Sequence, residues 1–174
     1  MAMTRAWMKV GAIALAIAAG GSAGCKVDEP APTKVNDAPP ATAQGGHAVE
    51  IVKAAGGEVA PAVKAELVRA RGANKRLLVY VGATWCEPCQ RFHDAAAKGE
   101  LDTVFPDLRL LEFDLDRDKE ALERAGYASR MIPLFALPNE DGTGSGQQIE
   151  GSIKGPGAVA QIRPRLTALL AKGK

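Results

Sequence analysis

Cysteine and histidine, the ligands of closed zinc sites, are few: three cysteines and two histidines in 174 residues. Aromatics make up only 5%, and none interleave with a basic face, so the charge-and-stacking pattern of nucleic-acid binders is missing. No segment repeats along the chain. The uncharged apolar run from Val10 to Ala19 is too short to cross a bilayer comfortably, because a spanning helix needs about 20 apolar residues. These absences set aside nucleic-acid partners and repeat architectures, and they make a membrane-spanning N-terminal helix the second reading of that run.

What the N-terminus does contain is ordered. Arg5 and Lys9 precede the Ala-rich run, which ends in Gly20-Gly21-Ser22-Ala23-Gly24-Cys25. A charged start, an apolar middle and a small-residue end read as a secretory signal peptide over residues 1–24. Ser22-Ala23-Gly24-Cys25 resembles the bacterial lipobox, in which the cysteine is lipidated and becomes the new N-terminus. It departs from that pattern at Ser22, where an aliphatic residue is usual. Ordinary cleavage nearby, leaving Cys25 a spare thiol, is the alternative. An odd free thiol is a liability in an oxidising compartment, and lipidation removes it. The expectation is an envelope lipoprotein facing the periplasm, held to the membrane through Cys25, with a soluble periplasmic protein as the alternative. Removal of Arg5 and Lys9 brings the 22 basic residues level with the 20 acidic ones, so the mature chain carries no formal net charge.

Residues 25–47 are polar and contain Pro30, Pro32, Pro39 and Pro40 without apolar periodicity, which reads as a tether. In a polyproline-like conformation, at about 3.1 Å per residue, it would reach about 60 Å. Residues 48–174 remain for one globular domain, and 47% hydrophobic residues overall suffice for its core.

Within that domain, the spacing of Val49 and Val52 predicts a short helix broken by Gly56-Gly57, and a second helix runs from Pro61 to Gly72. Leu77-Leu78-Val79-Tyr80-Val81 is a buried strand. Residues 87–98 form a helix with Cys89, Phe92 and Ala96 on its core face and Gly99 as its stop. Residues 108–113 form a strand parallel to the first, and residues 119–125 a short helix. Residues 134–137 and 148–153 make an antiparallel hairpin with a mobile tip at 138–146. The last helix spans residues 156–171 with a kink or break at Pro164, since an interior proline costs about 3 kcal/mol. The fold class is α/β: a mixed sheet of about four strands with helices on both faces.

The chemistry lies in Trp85-Cys86-Glu87-Pro88-Cys89, where a strand runs into a helix. With Cys86 as the helix cap, unpaired backbone N–H groups and the positive end of the helix dipole favour its thiolate. Cys86 is then the nucleophile, the accessible thiol with the lower pKa. Cys89, three residues on, is buried and close enough to resolve a mixed disulfide at Cys86. That pattern points to dithiol–disulfide exchange.

Trp-Cys-x-Pro-Cys after a strand, together with Ile132-Pro133 before a second apolar run, resembles the thioredoxin-like superfamily across residues 77–170. Cys-Glu-Pro-Cys is similar to the loop of the periplasmic cytochrome c maturation thioredoxins. Cys89-Gln90-Arg91-Phe92 is similar to the C-terminal domain of the transmembrane disulfide reductase, and both branches stay open. The resemblance implies a thioredoxin-like sandwich and a redox-active Cys86–Cys89 pair. It also implies a cis Ile132–Pro133 bond packed on that pair, with Tyr127 six residues upstream, and backbone beside Pro133 free to receive an extended substrate. Electrons would come from a membrane disulfide reductase and pass to protein disulfides in the envelope, with no organic cofactor.

Tyr80 stands where the superfamily carries a buried aspartate that accepts the second cysteine's proton. Glu87, Glu112 and His93 are the substitutes within reach; solvated side chains are the plainer reading of all three. Trp85 shields the disulfide and offers partners a flat apolar surface. Glu87 and Pro88 tune the couple: an anion beside Cys86 opposes its thiolate, which favours a reductant. Zinc lacks ligands, since beyond the cysteine pair only His47 and His93 are well placed by type, and no metal is expected. The rival functions are a non-catalytic binding module of the same fold and an envelope disulfide oxidase or isomerase.

Overall fold

The structure, a computed structural model, describes residues 46–173. The expected signal peptide, the lipidation site at Cys25 and nearly all of the expected tether lie outside the described residues. Nine elements follow in order: β1 (Glu50–Lys53), α1 (Val59–Gly72), β2 (Arg76–Gly82), α2 (Glu87–Ala97), β3 (Leu108–Asp114), α3 (Leu115–Arg124), β4 (Leu134–Pro138), β5 (Gly144–Glu150) and α4 (Ala158–Lys172). The strands form one mixed sheet in the order β1-β3-β2-β4-β5. β1, β3 and β2 are parallel, whereas β4 runs antiparallel to β2 and β5 antiparallel to β4. This is the thioredoxin-like α/β sandwich expected, with five strands in place of about four.

β2 is central and covered on both faces, which is why its sequence is an unbroken apolar run and not an alternating one. Leu78 and Tyr80 enter a core shared with Phe92 of α2 and Ile162, Leu166 and Leu169 of α4. Leu77, Val79 and Val81 enter the opposite core with Val59, Val63 and Leu67 of α1 and Leu122 of α3. On β3, Leu108 and Leu110 take the first side and Leu111 and Phe113 the second. The period-two alternation therefore turns Glu112 to the α2 side.

The additional strand is β1. Val49 and Val52 stand three apart, a helical spacing, yet residues 50–53 pair in parallel with residues 109–112 of β3. Four residues at a sheet edge are too few for their own periodicity to declare a strand; β3 supplies the hydrogen bonds that decide it. At the end of α1 the left-handed residue is Asn74 (φ 53°), two positions beyond the glycine expected to stop the helix. α3 begins earlier than expected because the Asp114 carboxylate caps it, accepting from the N–H groups of Asp116 and Arg117. β5 is displaced toward the turn, starting at Gly144 and ending at Glu150. The hairpin tip is tied to the body: the Tyr127 hydroxyl donates to the Gly142 carbonyl at 2.9 Å, and Arg71 pairs with Glu140. α4 runs through Pro164 as one helix, with Ile162, Leu166, Leu169 and Leu170 buried around it. Packing of that face offsets the lost backbone bond.

Leu110, fully buried in the middle of β3, is a sensitive probe of this arrangement. Leu110→Ala is expected to lower unfolding stability by about 2–5 kcal/mol, read as a lower urea midpoint at unchanged slope.

Candidate active site

β2 leads directly to the cysteines. After Gly82 the chain turns through Ala83, Thr84 and Trp85, and Cys86 becomes the N-cap of α2 with extended backbone (φ −82°, ψ 101°). The Cys89 N–H donates to Cys86 Sγ at 3.3 Å, so the sulfur occupies the place where a serine or aspartate oxygen normally caps a helix. Pro88 lies in the first turn, where the missing N–H leaves no intrahelical bond unmade. Cys86 and Cys89 form a disulfide between Cα atoms 5.2 Å apart.

In this oxidised arrangement the two cysteines are 4% and 2% exposed, so the expected contrast between an open and a closed sulfur is slight. Position separates them more than exposure does. Cys86 Sγ meets a backbone donor at the positive end of α2, whereas Cys89 lies within the first turn and packs into the core that holds Phe92.

Trp85 stands outside, 63% exposed, with its indole N–H donating to Asp116 Oδ2 at 2.8 Å. The start of α3 thus anchors the ring beside the disulfide, and Trp85 is not a core aromatic. On the other side of β2, the register pairs Val81 with Leu134, which sets Pro133 level with Gly82 and next to the turn that carries the cysteines. The Ile132–Pro133 bond is cis, and the Pro133 carbonyl accepts from Gly151 N at 2.9 Å. Ile132 is half-buried and touches both cores; Pro133 is buried.

Glu87 is more constrained than a solvated glutamate. Arg91 Nε donates to its Oε1 at 2.6 Å, and the Gly155 N–H lies 3.1 Å from each carboxylate oxygen. Arg91 first and Gly155 second hold its carboxyl below the usual glutamate range, so Glu87 is an anion at neutral pH. The clasp joins the start of α2 to the loop before α4. Gly155 was not foreseen from the sequence, where only the turn-prone Gly155-Pro156-Gly157 run marks it; its backbone is left-handed (φ 89°).

Behind the disulfide the surface opens into a hollow. A cavity of about 360 Å³ is lined by Cys89, His93 and Glu112, with Gly82 at its wall. His93 Nε2 is 2.9 Å from Glu112 Oε1. Glu112 is therefore not the solvent-facing charge expected of it: only 18% of its side chain is exposed, and its Oε2 is buried without a hydrogen-bond partner among the described residues. Tyr80 Oη is likewise buried and unpartnered there, and burial, aided by the Glu112 charge, raises its pKa strongly. Among the described residues no three His, Cys, Asp or Glu side chains cluster as a metal site would require.

No family model matches the chain, and none of the curated proteins does. Solved structures do match. Thioredoxin of Trichomonas vaginalis is 26% identical, with 71% of this chain and 97% of that one covered and a TM-score of 0.44. Oxidised thioredoxin O1 of Arabidopsis thaliana is 16% identical, with 68% and 96% covered and a TM-score of 0.43. Trxlp of Edwardsiella tarda is 22% identical, with 57% and 91% covered and a TM-score of 0.39.

Glu87 gives a direct electrostatic test of the Cys86 site. Glu87→Gln removes the anion beside the sulfur and leaves Arg91 unpaired, and both changes favour thiolate. In chains carrying Cys89→Ser and Cys25→Ser, the Cys86 pKa measured by alkylation rate against pH is expected to fall by about one unit. An unchanged value would show that solvent screens this exposed pair from Cys86.

Proposed function

We propose that this chain is a thiol–disulfide oxidoreductase that reduces protein disulfides in the cell envelope. One observation carries the exchange chemistry: a Cys86–Cys89 disulfide whose first sulfur caps a helix N-terminus and accepts a backbone hydrogen bond. An acceptor that receives an N–H donor as sulfur stabilises the thiolate it becomes on reduction. In the reduced protein the Cys86 thiolate attacks one sulfur of a partner disulfide, forming a mixed disulfide and releasing one partner thiolate. Cys89, deprotonated, then attacks Cys86 Sγ. The mixed disulfide breaks, the second partner thiolate leaves, and the Cys86–Cys89 bond forms, so two electrons pass to the partner.

The exposed Trp85 ring and the edge beside Pro133 are the surfaces that would receive the partner segment. The persistent anion at Glu87 supports the reducing direction, because it disfavours the thiolate whose stabilisation makes a disulfide a strong oxidant. Electrons would return through exchange with a membrane disulfide reductase. Envelope placement rests on the signal-like residues 1–24 and on Ser22-Ala23-Gly24-Cys25, with lipid at Cys25 holding the domain to the membrane.

Insulin reduction by dithiothreitol is expected to accelerate with the wild-type chain and not with Cys86→Ser, while Cys89→Ser accumulates mixed disulfides. Equilibration with glutathione should give a potential nearer roughly −270 mV than the roughly −120 mV of a dedicated oxidant. A potential at the oxidising end would reverse the direction of electron flow while keeping the exchange chemistry; no acceleration at all would leave a binding module.

The anchor has its own test. Cells expressing the wild-type chain are expected to incorporate a labelled fatty acid into it, and Cys25→Ala is expected to abolish the label. A wild-type chain without label would make the protein a soluble periplasmic one.

A further inference from the structure

Resolution by Cys89 needs a proton acceptor. An ordinary thiol has a pKa of about 8.5, and burial raises it, so a cysteine 2% exposed attacks slowly at neutral pH unless a nearby group takes its proton. The helix terminus does not serve this purpose, since its capping position belongs to Cys86. Glu87 does not serve it either: Arg91 and Gly155 engage its carboxylate, and it does not line the cavity behind Cys89.

That cavity does contain a fitting pair. His93 follows Cys89 by four residues, which sets both on one face of α2, and both line the same 360 Å³ space. Glu112 reaches this space from β3 and holds His93 Nε2 at 2.9 Å. That contact turns the imidazole toward the space it shares with Cys89 and gives its ring an anionic neighbour. The Tyr80 ring lies 5.4 Å from the His93 ring, and a Cβ built on Gly82 would come within 3.1 Å of the Tyr80 hydroxyl, so that hydroxyl lies against the cavity wall. Glu112, whose buried Oε2 has no partner among the described residues, therefore lines a cavity whose volume accommodates water, and Tyr80 Oη, likewise unpartnered among them, lies behind Gly82 of its wall.

We propose that His93 is the proton acceptor for Cys89 in the resolving step, reached across the cavity, and that Glu112, in contact with His93 Nε2, is the positioning residue that holds the imidazole there. The inference rests on the exchange function proposed above. The Cys89 S–H proton passes to His93, directly or through a cavity water. The thiolate then attacks Cys86 Sγ, the bond from Cys86 to the partner sulfur breaks, and the partner leaves with the electron pair. His93 returns the proton to solvent or to the leaving thiolate. Tyr80, behind Gly82, remains a phenol and takes no proton. The other charges facing the cavity are Lys53 of β1, Asp94 of α2, Asp114 of β3 and Arg117 of α3, the last already bound to Asp118. His47 borders a separate hollow on the far side of His93.

The test separates the two halves of exchange. Full chains carrying Cys25→Ser, so that two thiols react, are reduced and mixed with dithiobis-nitrobenzoate. The first coloured thiolate reports attack by Cys86, and the second reports resolution by Cys89. In the wild-type background the second release is expected to be fast at neutral pH. His93→Gln and Glu112→Gln are each expected to slow the second release relative to the first by at least about tenfold. Their pH profiles should move up toward ordinary thiol ionisation near about pH 8.5. A packing defect would not move that inflection, and far-ultraviolet circular dichroism together with the first release shows that each variant is folded. An unchanged ratio and profile in either variant would overturn the relay. A wild-type chain that stops after one equivalent would overturn the exchange couple, and the relay with it.

Discussion

Everything at the site depends on one junction: the all-apolar strand β2 ends at the sheet centre, and Cys86 caps the helix that follows. A sulfur is a weak acceptor compared with the oxygen of serine or aspartate, so the cap is not there for helix stability alone. The position makes it useful. The sheet fixes where β2 ends, and four turn residues later the first turn of α2 points its N–H groups at the reactive atom. Because β4 lies antiparallel beside β2, the same strand end also determines where Pro133 stands. Disulfide, helix end and proline are therefore positioned by a single buried strand.

The two faces of β2 have different consequences. The α1 and α3 side is filled mainly by aliphatic residues, with Phe113 and Tyr127 buried among them, and its role is support. On the α2 and α4 side, Tyr80 packs against Phe92, His93 and Phe135, forming an aromatic floor under the disulfide. A tyrosine there cannot act as a base at any working pH, because burial holds it protonated. Its bulk also fills space that a short acidic side chain would leave open. The residual cavity opens to one side, where α2 and β3 contribute His93 and Glu112.

Much of this was legible in the sequence because the signals were local. Residues 77–81, the Cys86 cap, the helix stop at Gly99 and the parallel strand at 108–113 each follow from a run of adjacent residues. Ile132-Pro133 was legible by resemblance alone, since composition says nothing about an isomer. The rest depended on pairing across the chain. β1 reads as helix from the Val49–Val52 spacing until β3 is present to receive it. Glu112 reads as a surface charge because nothing in its neighbours reveals that His93, on an element before it in the chain, will cover it. The clasp of Glu87 by Gly155 joins positions 68 residues apart, beyond any periodicity argument.

The two glutamates nearest the cysteines are separated by what holds them. Glu87 is drawn outward by Arg91 and by the loop at Gly155, so its charge acts on Cys86 from the solvent side. Glu112 is held inward, half-buried, with one oxygen committed to His93. An exposed anion is screened and changes the energy of Cys86 modestly, whereas a carboxylate that is mostly buried is screened less. The sulfur that shares its cavity is Cys89. The exchange proposed above calls for this division: a couple that works as a reductant needs only moderate thiolate character at the attacking sulfur, and the resolving sulfur needs a proton acceptor only once the mixed disulfide exists. Two carboxylates on opposite sides of a four-residue motif allow those requirements to be set independently.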